Sequence, residues 1–212
     1  MSIDKHIPDS TIRRLSLYLR FLEEFEESGV TTVSSGALAE RGGTTAAQVR
    51  KDLSHFGSFG KRGLGYSVEE LTGVLRGILG LKSRWNVALI GAGRIGAALF
   101  EYQPFRERGF DITTVVDHDP EKVGHRLGDV TIQNDKDLER TLKARSIDMV
   151  ILAVPASVAQ GVLDKVVGAG VRAVLNYAPI QLRAPDEVAL RSVSMLLELE
   201  GLSYALSRGP QP

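Results

Sequence analysis

The sequence contains no cysteine, which excludes disulfides, thiolate zinc sites, iron–sulfur clusters and cysteine nucleophiles. Its four histidines are scattered along the chain and offer little for a metal, so no metal site is expected. No apolar run approaches the roughly 20 residues of a membrane-spanning helix, and a membrane partner is not expected. The charged start, Met1–Ile12, has no apolar centre and does not resemble a signal peptide. These absences together favour a cytoplasmic protein.

Charge in the chain is balanced, with 26 lysines and arginines against 26 aspartates and glutamates. A protein that holds nucleic acid through bulk positive charge is therefore excluded, and any basic site must be local. The 212 residues, 43% of them hydrophobic, are enough to bury one large core or two small ones. Hydrophobic periodicity divides the chain near Gly80–Arg84 into a helical part and a part in which strands alternate with helices.

The N-terminal part begins with a pattern that predicts three helices. Apolar residues recur at three- and four-residue spacing over Ile12–Phe25, which predicts a first helix that stops at Gly29. A short second helix is expected over residues 35–40. Thr45 and Gln48 have the spacing of a capping box and predict the start of a third helix.

A glycine-rich segment follows the third helix, which is expected to end by Phe56. Residues 57–66 contain four glycines and predict a hairpin or loop, and Ser67 then caps a fourth helix that ends at Gly80. Three helices followed by a glycine-bounded hairpin resemble a winged helix-turn-helix domain. In that domain the third helix enters the major groove of DNA, and the hairpin meets the backbone or the minor groove.

The predicted third helix and hairpin carry local positive charge. Between Arg41 and Arg62 five basic residues accompany one acid, Asp52, and small side chains at residues 44–47 would let the helix approach DNA closely. Candidates for contact with base edges are Gln48 and Arg50. Candidates for contact with phosphates are Lys51, Lys61 and Arg62. The alternative is a solvated helix beside an ordinary loop, and charge alone does not decide between the two.

The C-terminal part alternates short apolar runs with helical segments. Four runs predict strands, and they are Val87–Ile90 before Gly91, Ile112–Val116 before Asp117, Met149–Val154 before Pro155, and Ala173–Leu175 before Asn176. This alternation is typical of a doubly wound parallel sheet, which binds ligands at the carboxyl ends of its strands. A last apolar segment, Met195–Leu206, has largely helical spacing.

The first of these strands runs into Gly91-Ala-Gly93-Arg-Ile-Gly96, a glycine spacing typical of dinucleotide-binding turns. Gly91 permits the tight turn, Gly93 lets the backbone approach a pyrophosphate, and Gly96 lets the helix pack on its strand. Asp117 suits hydrogen bonds from an adenosine ribose and disfavours the extra phosphate of NADP. An NAD site is therefore predicted, against the alternative of a glycine turn in an ordinary core. Arg94 fits either a pyrophosphate contact or solvent.

No catalytic group is evident beside the predicted cofactor. Lys165 and Tyr177 are weak candidates for an acid or base, and no metalloprotease, hydrolase-elbow or P-loop pattern is present. The part after residue 80 is also too small for a dinucleotide domain plus a substrate domain. We therefore expect no enzyme. Two alternatives stay open: a small NAD-dependent enzyme with a helical dimerisation module, and a coenzyme A or nucleotide-binding domain without redox sensing.

Several motifs in order, spread over nearly the whole chain, resemble the Rex family of redox-sensing transcriptional repressors. The motifs are Arg50–Ser54, His55–Gly57, Gly60–Gly63, Gly65–Tyr66, Gly91–Gly96, Asp117–Gly124, Val154–Pro155 and Leu175–Pro179. The resemblance implies a homodimer that binds a palindromic double-stranded DNA operator while NADH is scarce. It also implies that NADH releases the DNA, that NAD+ competes more weakly, and that the C-terminal helix is exchanged between subunits.

The motifs and the resemblance together give the predicted sites and domains. Candidate cofactor-binding residues are Gly91, Ala92, Gly93, Arg94, Ile95, Gly96, Tyr102, Asp117, Lys122, Val154, Pro155, Asn176, Tyr177 and Ala178. Candidate DNA-binding residues are Thr44, Thr45, Ala46, Gln48, Arg50, Lys51, Ser54, Phe59, Gly60, Lys61, Arg62 and Gly63. The expected fold is α/β, with a winged helix-turn-helix domain over 1–80, a doubly wound, Rossmann-like NAD(H)-binding domain over 81–192, and an exchanged helix with tail over 193–212.

One position departs from the pattern of the family. The resemblance implies a switch in which an Asp before the exchanged helix pairs with Arg14 in one state and approaches Tyr102 in the other, but this chain has Ser194. A hydroxyl can hydrogen-bond Tyr102 and cannot form a charged pair with Arg14, which puts that form of the switch in question. Glu198, one helical turn on, is a candidate substitute charge. The family's Phe after Asn is Tyr177 here, which keeps an aromatic ring.

Overall fold

The computed structural model describes residues 7–60 and 64–208. The chain forms two compact units, Met1–Ser83 and Arg84–Pro212. Within residues 7–60 and 64–208, no helix is both long enough and apolar enough to cross a membrane.

The described residues of the first unit form four helices and two very short strands. They are α1 Asp9–Glu27, β1 Thr32–Val33, α2 Ser35–Arg41, α3 Ala46–Ser54, β2 Tyr66–Ser67 and α4 Val68–Ile78. Three helices begin at hydroxyl side chains that accept a hydrogen bond from the backbone N–H three residues on: Ser34, Thr45 and Ser67. Such a cap satisfies one of the N–H groups that a helix leaves unpaired at its start. The helical prediction for this part is therefore confirmed.

The core of the first unit lies along one stripe of α1. Leu15, Tyr18, Leu19 and Leu22 are buried there at three- and four-residue spacing, and they pack with buried residues of the other helices, including Leu75 of α4. Each fully buried side chain of this kind stabilises the fold by about 1.5–3 kcal/mol. This stripe holds the three following helices on α1.

The two short strands join the segment before α2 to the segment before α4. Thr32 pairs with Ser67 and Val33 with Tyr66, antiparallel. Gly65 has φ +84°, and a Cβ there would lie 2.5 Å from the carbonyl oxygen of Val33, so the position requires glycine. The sequence did not predict β1, because two residues are too few to show a period. The predicted hairpin residues Lys61, Arg62 and Gly63 lie outside the described residues.

The second unit is a twisted sheet covered by helices on both faces. Its strands are β3 Trp85–Ile90, β4 Phe110–Asp117, β5 Arg126–Leu127, β6 Val130–Asn134, β7 Met149–Leu152, β8 Ala173–Asn176 and β9 Ala189–Ser192. Its helices are α5 Arg94–Phe100, α6 Gln103–Glu107, α7 Leu138–Ala144, α8 Ala156–Gly168 and α9 Met195–Ser207, with a 3₁₀ turn at Asp135–Asp137. The strand order is β5-β6-β4-β3-β7-β8-β9, and every pairing except β5 with β6 is parallel.

This strand order is the doubly wound order in which the chain moves outward from β3 in one direction, returns, and moves outward in the other. The predicted α/β fold is therefore confirmed. The four predicted strands correspond to β3, β4, β7 and β8. The sequence did not predict β6 or β9, which lie toward the edges of the sheet and have few buried residues, so they lack the continuous apolar runs of central strands.

Alternate residues of the central strands face two separate apolar layers. Ala88, Ile90, Val150 and Leu152 pack with buried residues of α8. Val87, Leu89 and Ile151 face the other layer, with Phe100 of α5 and Phe105 of α6. This arrangement fixes the sheet between helices and leaves the carboxyl ends of its strands to carry polar side chains.

The last helix, α9, buries none of its residues in the chain that carries it. Seven large apolar side chains are 59–83% exposed, and they are Met195, Leu196, Leu197, Leu199, Leu202, Tyr204 and Leu206. They point to more than one side of the helix. A helix that is apolar on several sides is normally buried by other protein.

Candidate nucleotide and DNA-binding sites

The glycine turn after β3 has glycines that serve different purposes. Gly91 has φ +99°, and a Cβ there would collide with the carbonyl oxygen of Ala153. A Cβ at Gly96 would collide with the carbonyl oxygen of Gly91. A Cβ at Gly93 would meet no atom within 4 Å, and Gly93 is exposed. The protein itself therefore requires glycine at the first and third positions. The open space over Gly93 would instead let a pyrophosphate approach the protein backbone closely.

Helix α5 begins directly after this turn. Gly93 is its N-cap and supplies no side chain to the first N–H groups, and Arg94 and Ile95 are exposed on the first turn. Helix starts leave N–H groups that a phosphate can accept from. The structure therefore brings Gly93, Arg94 and Ile95 together around one open position at the start of α5.

Asp117 ends β4 and holds the glycine turn from the side. One oxygen accepts from the backbone N–H of Ala92 at 2.7 Å, and the other accepts from the N–H of Asp119 at 2.9 Å. The ammonium of Lys122 lies 3.5 Å away. Burial alone would raise the pKa of Asp117, which is 5% exposed, but the two N–H donors and Lys122 outweigh it and lower the pKa. Asp117 thus supports the turn, besides any role toward a ribose.

The lowered pKa of Asp117 predicts a loss of stability in acid. A carboxylate with a lowered pKa in the folded state stabilises the protein above its ordinary pKa and loses that contribution as the pH falls through the folded value. We expect Asp117→Asn to lower the free energy of unfolding by about 2 kcal/mol at pH 7. The difference from the parent protein should shrink as the pH falls below about 4.

Urea titrations of both proteins at pH 7, 5 and 3 would measure this effect. Asp129→Asn, at an exposed aspartate of the same unit, is the matched control and should cost little at any of these pH values. A difference between Asp117→Asn and the parent protein that stays constant from pH 7 to pH 3 would contradict the assignment.

Asn176, at the end of β8, is fully buried and serves the fold. Its amide nitrogen donates to the carbonyl oxygens of Ala178 at 3.3 Å and Ile180 at 3.0 Å, and to the hydroxyl of Ser192 at 3.2 Å. Its oxygen accepts from the N–H of Ala178 at 2.9 Å. These bonds fix the turn that presents Tyr177 and Ala178. The sequence placed Asn176 among the cofactor-binding residues, and its side chain acts here through the turn.

Two candidate cofactor-binding tyrosines come from different segments of this unit. Tyr177 is half-buried, and its pKa is raised by burial and by the nearby Tyr102. Tyr102 is exposed and makes an edge contact with the ring of Phe105, with centroids 5.0 Å apart. Val154 and Pro155 follow β7, where Pro155 is the N-cap of α8. Tyr102 therefore lies near enough to Tyr177 to influence its pKa, a relation that the sequence alone does not show.

The predicted DNA-reading helix, α3, has one clearly exposed face. Ala47, Arg50, Lys51 and Ser54 are exposed at three- and four-residue spacing. One guanidinium nitrogen of Arg50 donates to the hydroxyl of Ser35 at 2.9 Å. Ala47 was not predicted to contact DNA and was considered only as a small residue at the start of the helix, although it lies on this exposed face.

Several other residues predicted to contact DNA have structural roles in the first unit or are only half-exposed. Thr45 caps α3 by accepting from the N–H of Gln48 at 3.1 Å, which confirms the predicted cap. Thr44 and Ala46 are half-exposed. Phe59 is half-buried and packs against the core, while Gly60 has φ +82°. A Cβ at Gly60 would lie 2.6 Å from the carbonyl oxygen of Gly65.

Gln48 and Arg14 meet at a buried carboxylate. The amide nitrogen of Gln48 donates to Asp52 at 2.8 Å. Arg14, predicted as a switch residue, donates to both oxygens of Asp52, at 2.6 and 2.7 Å. Ser194, the other predicted switch residue, caps α9 by accepting from the N–H of Leu197. In the sequence, Asp52 is distinguished only as the single acid among the basic residues between Arg41 and Arg62. That was the one feature from which its special role could have been suspected.

Two models of known families match the chain. "Putative DNA-binding protein N-terminus" matches residues 6–54, and "CoA binding domain" matches residues 82–180. Across residues 7–60 and 64–208, no cluster of three His, Asp or Glu residues could hold a metal ion. The two models therefore fall on the two units that carry the two candidate sites.

Similarity to curated proteins extends over nearly the whole chain. The redox-sensing transcriptional repressor Rex of Desulforamulus reducens is 46% identical over 201 residues, which cover 95% of this chain and 96% of that protein. The Rex protein of Chloroflexus aurantiacus is 47% identical and covers 95% of each chain. This chain belongs to the Rex family of redox-sensing transcriptional repressors.

Solved structures of a Rex-family repressor, RSP, have the same architecture. The complex of RSP with β-NAD+ and operator DNA is 38% identical, with a TM-score of 0.92 over 97% of this chain and 94% of that one. The complex with β-NADH is 37% identical, with a TM-score of 0.88 over 97% and 96% of the two chains. RSP thus has counterparts of both units described above.

Proposed function

We propose that this chain is a transcriptional repressor that senses the NADH/NAD+ ratio, binds a palindromic operator when NADH is low, and leaves the operator when NADH binds. The observation that carries the proposal is the open position over Gly93, in a doubly wound unit that shares its chain with a helical unit bearing an exposed basic face on α3. One unit supplies a dinucleotide cradle and the other supplies a DNA-reading surface.

The cofactor site that we propose lies at the carboxyl ends of β3, β4, β7 and β8. The turn at Gly91–Gly96 receives the pyrophosphate, Asp117 and Lys122 lie on the adenosine side, and Tyr102 and Tyr177 lie on the nicotinamide side. Val154, Pro155, Asn176 and Ala178 complete the set. NADH differs from NAD+ by the charge of its nicotinamide ring, and an apolar surface without a counter-ion favours the neutral form.

The DNA site that we propose uses the exposed face of α3 and the following segment. Arg50 contacts base edges, whereas Lys51, Lys61 and Arg62 contact phosphates and fix the register. The small residues at the start of α3, Thr44, Thr45 and Ala46, let the helix approach the groove. Ser54, Phe59, Gly60 and Gly63 complete the surface.

We further propose that the chain acts as a homodimer, whose C-terminal helix is exchanged between subunits. A palindromic operator presents two equivalent half-sites, which a two-fold dimer reads together. NADH releases DNA only if it binds one dimer arrangement more tightly than the DNA-competent arrangement, since equal affinity shifts no population. In this scheme Arg14 and Ser194 are switch residues, with the hydroxyl of Ser194 giving no charged pair.

The chain is proposed to catalyse no reaction and to act in the cytoplasm, where its operators are. Tyr177 is unsuited to base catalysis near neutral pH, because burial and Tyr102 raise its pKa. Lys165 lies exposed on α8. Residues 1–80, 81–192 and 193–212 are the proposed DNA-binding, cofactor-binding and dimer-exchange segments.

Fluorescence anisotropy of labelled upstream DNA from the respiratory genes of the source organism tests the proposal. We expect the protein to bind with a Kd of about 10 nM or lower at physiological salt. NADH should release the DNA at a much lower concentration than NAD+. Coenzyme A, suggested by the second family model, should have no such effect.

Each alternative function gives a different pattern in the same titrations. DNA binding that responds equally to NADH and NAD+ would remove redox sensing and keep the DNA-binding assignment. Binding of coenzyme A in preference to NADH would support a different nucleotide ligand. Oxidation of NADH on addition of a 2-oxo acid would support the enzyme.

A further inference from the structure

The DNA-reading helix contains a buried carboxylate that the proposed function does not use. Asp52 is 1% exposed, and it lies on the side of α3 that faces α1. Arg14 of α1 forms a bidentate pair with it, Tyr18 of α1 donates to it at 3.0 Å, and Gln48 of α3 donates to it at 2.8 Å. One carboxylate thus collects donors from two helices.

This cluster constrains the rotation of α3 about its own axis. Asp52 shares the buried side of the helix with Val49 and Leu53, while Arg50 and Lys51 are exposed on the other side. Apolar contacts alone tolerate small rotations, because they have no preferred direction. A bidentate pair with a guanidinium has a fixed planar geometry, and it resists such rotations.

The cluster also occupies the side chain of Gln48. Gln48 and Asp52 are four residues apart and therefore lie on adjacent turns of one helix face. The amide nitrogen of Gln48 donates one of its two N–H groups to Asp52, and this bond fixes the orientation of the amide against α3. A base contact that uses this N–H, or that needs the amide in another orientation, would require Gln48 to leave a charged acceptor in a low-dielectric site.

Electrostatics within the cluster favour this arrangement at neutral pH. Burial alone would raise the pKa of Asp52, but bonds from Arg14, Gln48 and Tyr18 outweigh burial and lower it. Burial and the bond to Asp52 raise the pKa of Tyr18 to about 12. The carboxylate is therefore ionised and the phenol is protonated, as each bond in the cluster requires.

We propose that Asp52 is a positioning residue that orients α3 for DNA and withdraws Gln48 from base contact, leaving Ala47, Arg50, Lys51 and Ser54 as the face that reads the groove. The inference rests on the proposed DNA-binding function and names which residues of that site discriminate sequence. Asp52 itself does not touch DNA in this scheme. It acts through the orientation of Arg50.

Operator binding by the full-length protein and three variants tests the inference. Gln48→Ala should bind the operator within about threefold of the parent protein and keep its preference at every base pair. Arg50→Ala should relax the preference at one base pair by about tenfold. Asp52→Asn should lower operator affinity by about tenfold, leave affinity for random DNA unchanged, and leave the salt dependence unchanged, because no phosphate contact is lost.

If Asp52 only stabilised the fold, Asp52→Asn would lower the thermal midpoint without changing the ratio of operator to random affinity. Asp52→Asn keeps the shape of the side chain, and its thermal midpoint is measured so that every titration is made well below unfolding. Tyr18→Phe removes one donor and keeps the bidentate pair, so it should retain the base preferences within about threefold. If Asp52→Asn lowers the midpoint and leaves the ratio of operator to random affinity unchanged, the positioning role is wrong.

Failure of this inference and failure of the proposed function give different binding results. If the parent protein does not distinguish operator from random DNA, the proposed function fails and the variants have no reference. If the parent protein discriminates and Gln48→Ala loses its preference at a base pair, then Gln48 reads a base and the inference alone is overturned. Retained preference in Gln48→Ala, together with lost discrimination in Asp52→Asn, supports it.

Discussion

Replacing Gly96 with alanine is expected to destabilise the cofactor-binding unit by about 3 kcal/mol and to abolish NADH binding. A Cβ at this position would collide with the carbonyl oxygen of Gly91, which is backbone and cannot move as a flexible side chain could. Gly91 is itself held between β3 and β4, because its N–H donates to the carbonyl oxygen of Val116 at 2.8 Å. Relief of the collision must therefore displace α5 from the sheet.

Two other glycines of the same unit provide matched controls for this change. Gly161→Ala should stabilise the unit by about 0.5–1 kcal/mol and leave NADH binding unchanged, because Gly161 lies within α8 and a Cβ there meets nothing within 4 Å. Gly93→Ala should leave stability nearly unchanged, because its Cβ position is also open. NADH binding by Gly93→Ala should nevertheless weaken by at least about tenfold, since the new methyl occupies the space of the pyrophosphate.

Urea unfolding and calorimetric titration with NADH on all three variants would measure these effects. The three glycines should give three different combinations of stability and affinity, although the chemical change is the same. NADH binding by Gly93→Ala at the parent affinity would contradict the placement of the pyrophosphate. A stable Gly96→Ala that binds NADH normally would contradict the packing argument.

The same glycines illustrate what a sequence can predict. The spacing of Gly91, Gly93 and Gly96 identifies the turn because the pattern lies within six residues, although the collision that a Cβ at Gly91 would cause is with distant Ala153. The cap at Thr45 was predictable for the same reason, since the bond to Gln48 spans three residues. Interactions between residues a few positions apart can therefore be predicted from the sequence.

Long-range partners could not be predicted in this way. Asp52 bonds to Arg14, 38 residues earlier, and nothing in the local pattern distinguishes a buried acid on a basic helix from an exposed one. Asn176 was predicted as a cofactor ligand from its place after a strand, yet it also bonds to Ser192 on the neighbouring strand β9. The strands near the sheet edges were missed because their exposure removes the apolar signal.

The C-terminal helix α9 gives the other large expected effect. Its apolar residues Leu199 and Leu202 are more than 60% exposed in the chain that carries them, and the helix adds nothing to that chain's core. Seven such residues in one helix would expose a large apolar surface to water if the chain were alone. A subunit exchange that buries α9 would remove this surface from solvent, and it would also explain why the pattern is apolar on several sides.

We therefore expect Leu199→Asp combined with Leu202→Asp to convert the proposed dimer to a monomer while both units stay folded. Operator affinity should fall by about a hundredfold or more. In a dimer, binding of one subunit to its half-site holds the second subunit close to the other half-site, and a monomer lacks this effect. Circular dichroism would report folding, sedimentation velocity the oligomeric state, and anisotropy the affinity. The double variant should unfold at a lower midpoint than the parent protein, because the stabilisation from the partner subunit is lost, but it should still unfold cooperatively because no buried contact within the chain is removed.

Glu200→Gln is the matched control, because it changes a polar side chain between the two leucines and removes no apolar surface. It should remain a dimer and bind the operator within about threefold of the parent protein. A dimer that survives the double substitution would place the subunit contact elsewhere and leave the exposed face of α9 unexplained. A monomer that binds the operator as tightly as the parent protein would instead remove the need for two subunits in DNA recognition, and with it the proposed coupling of NADH to the dimer arrangement.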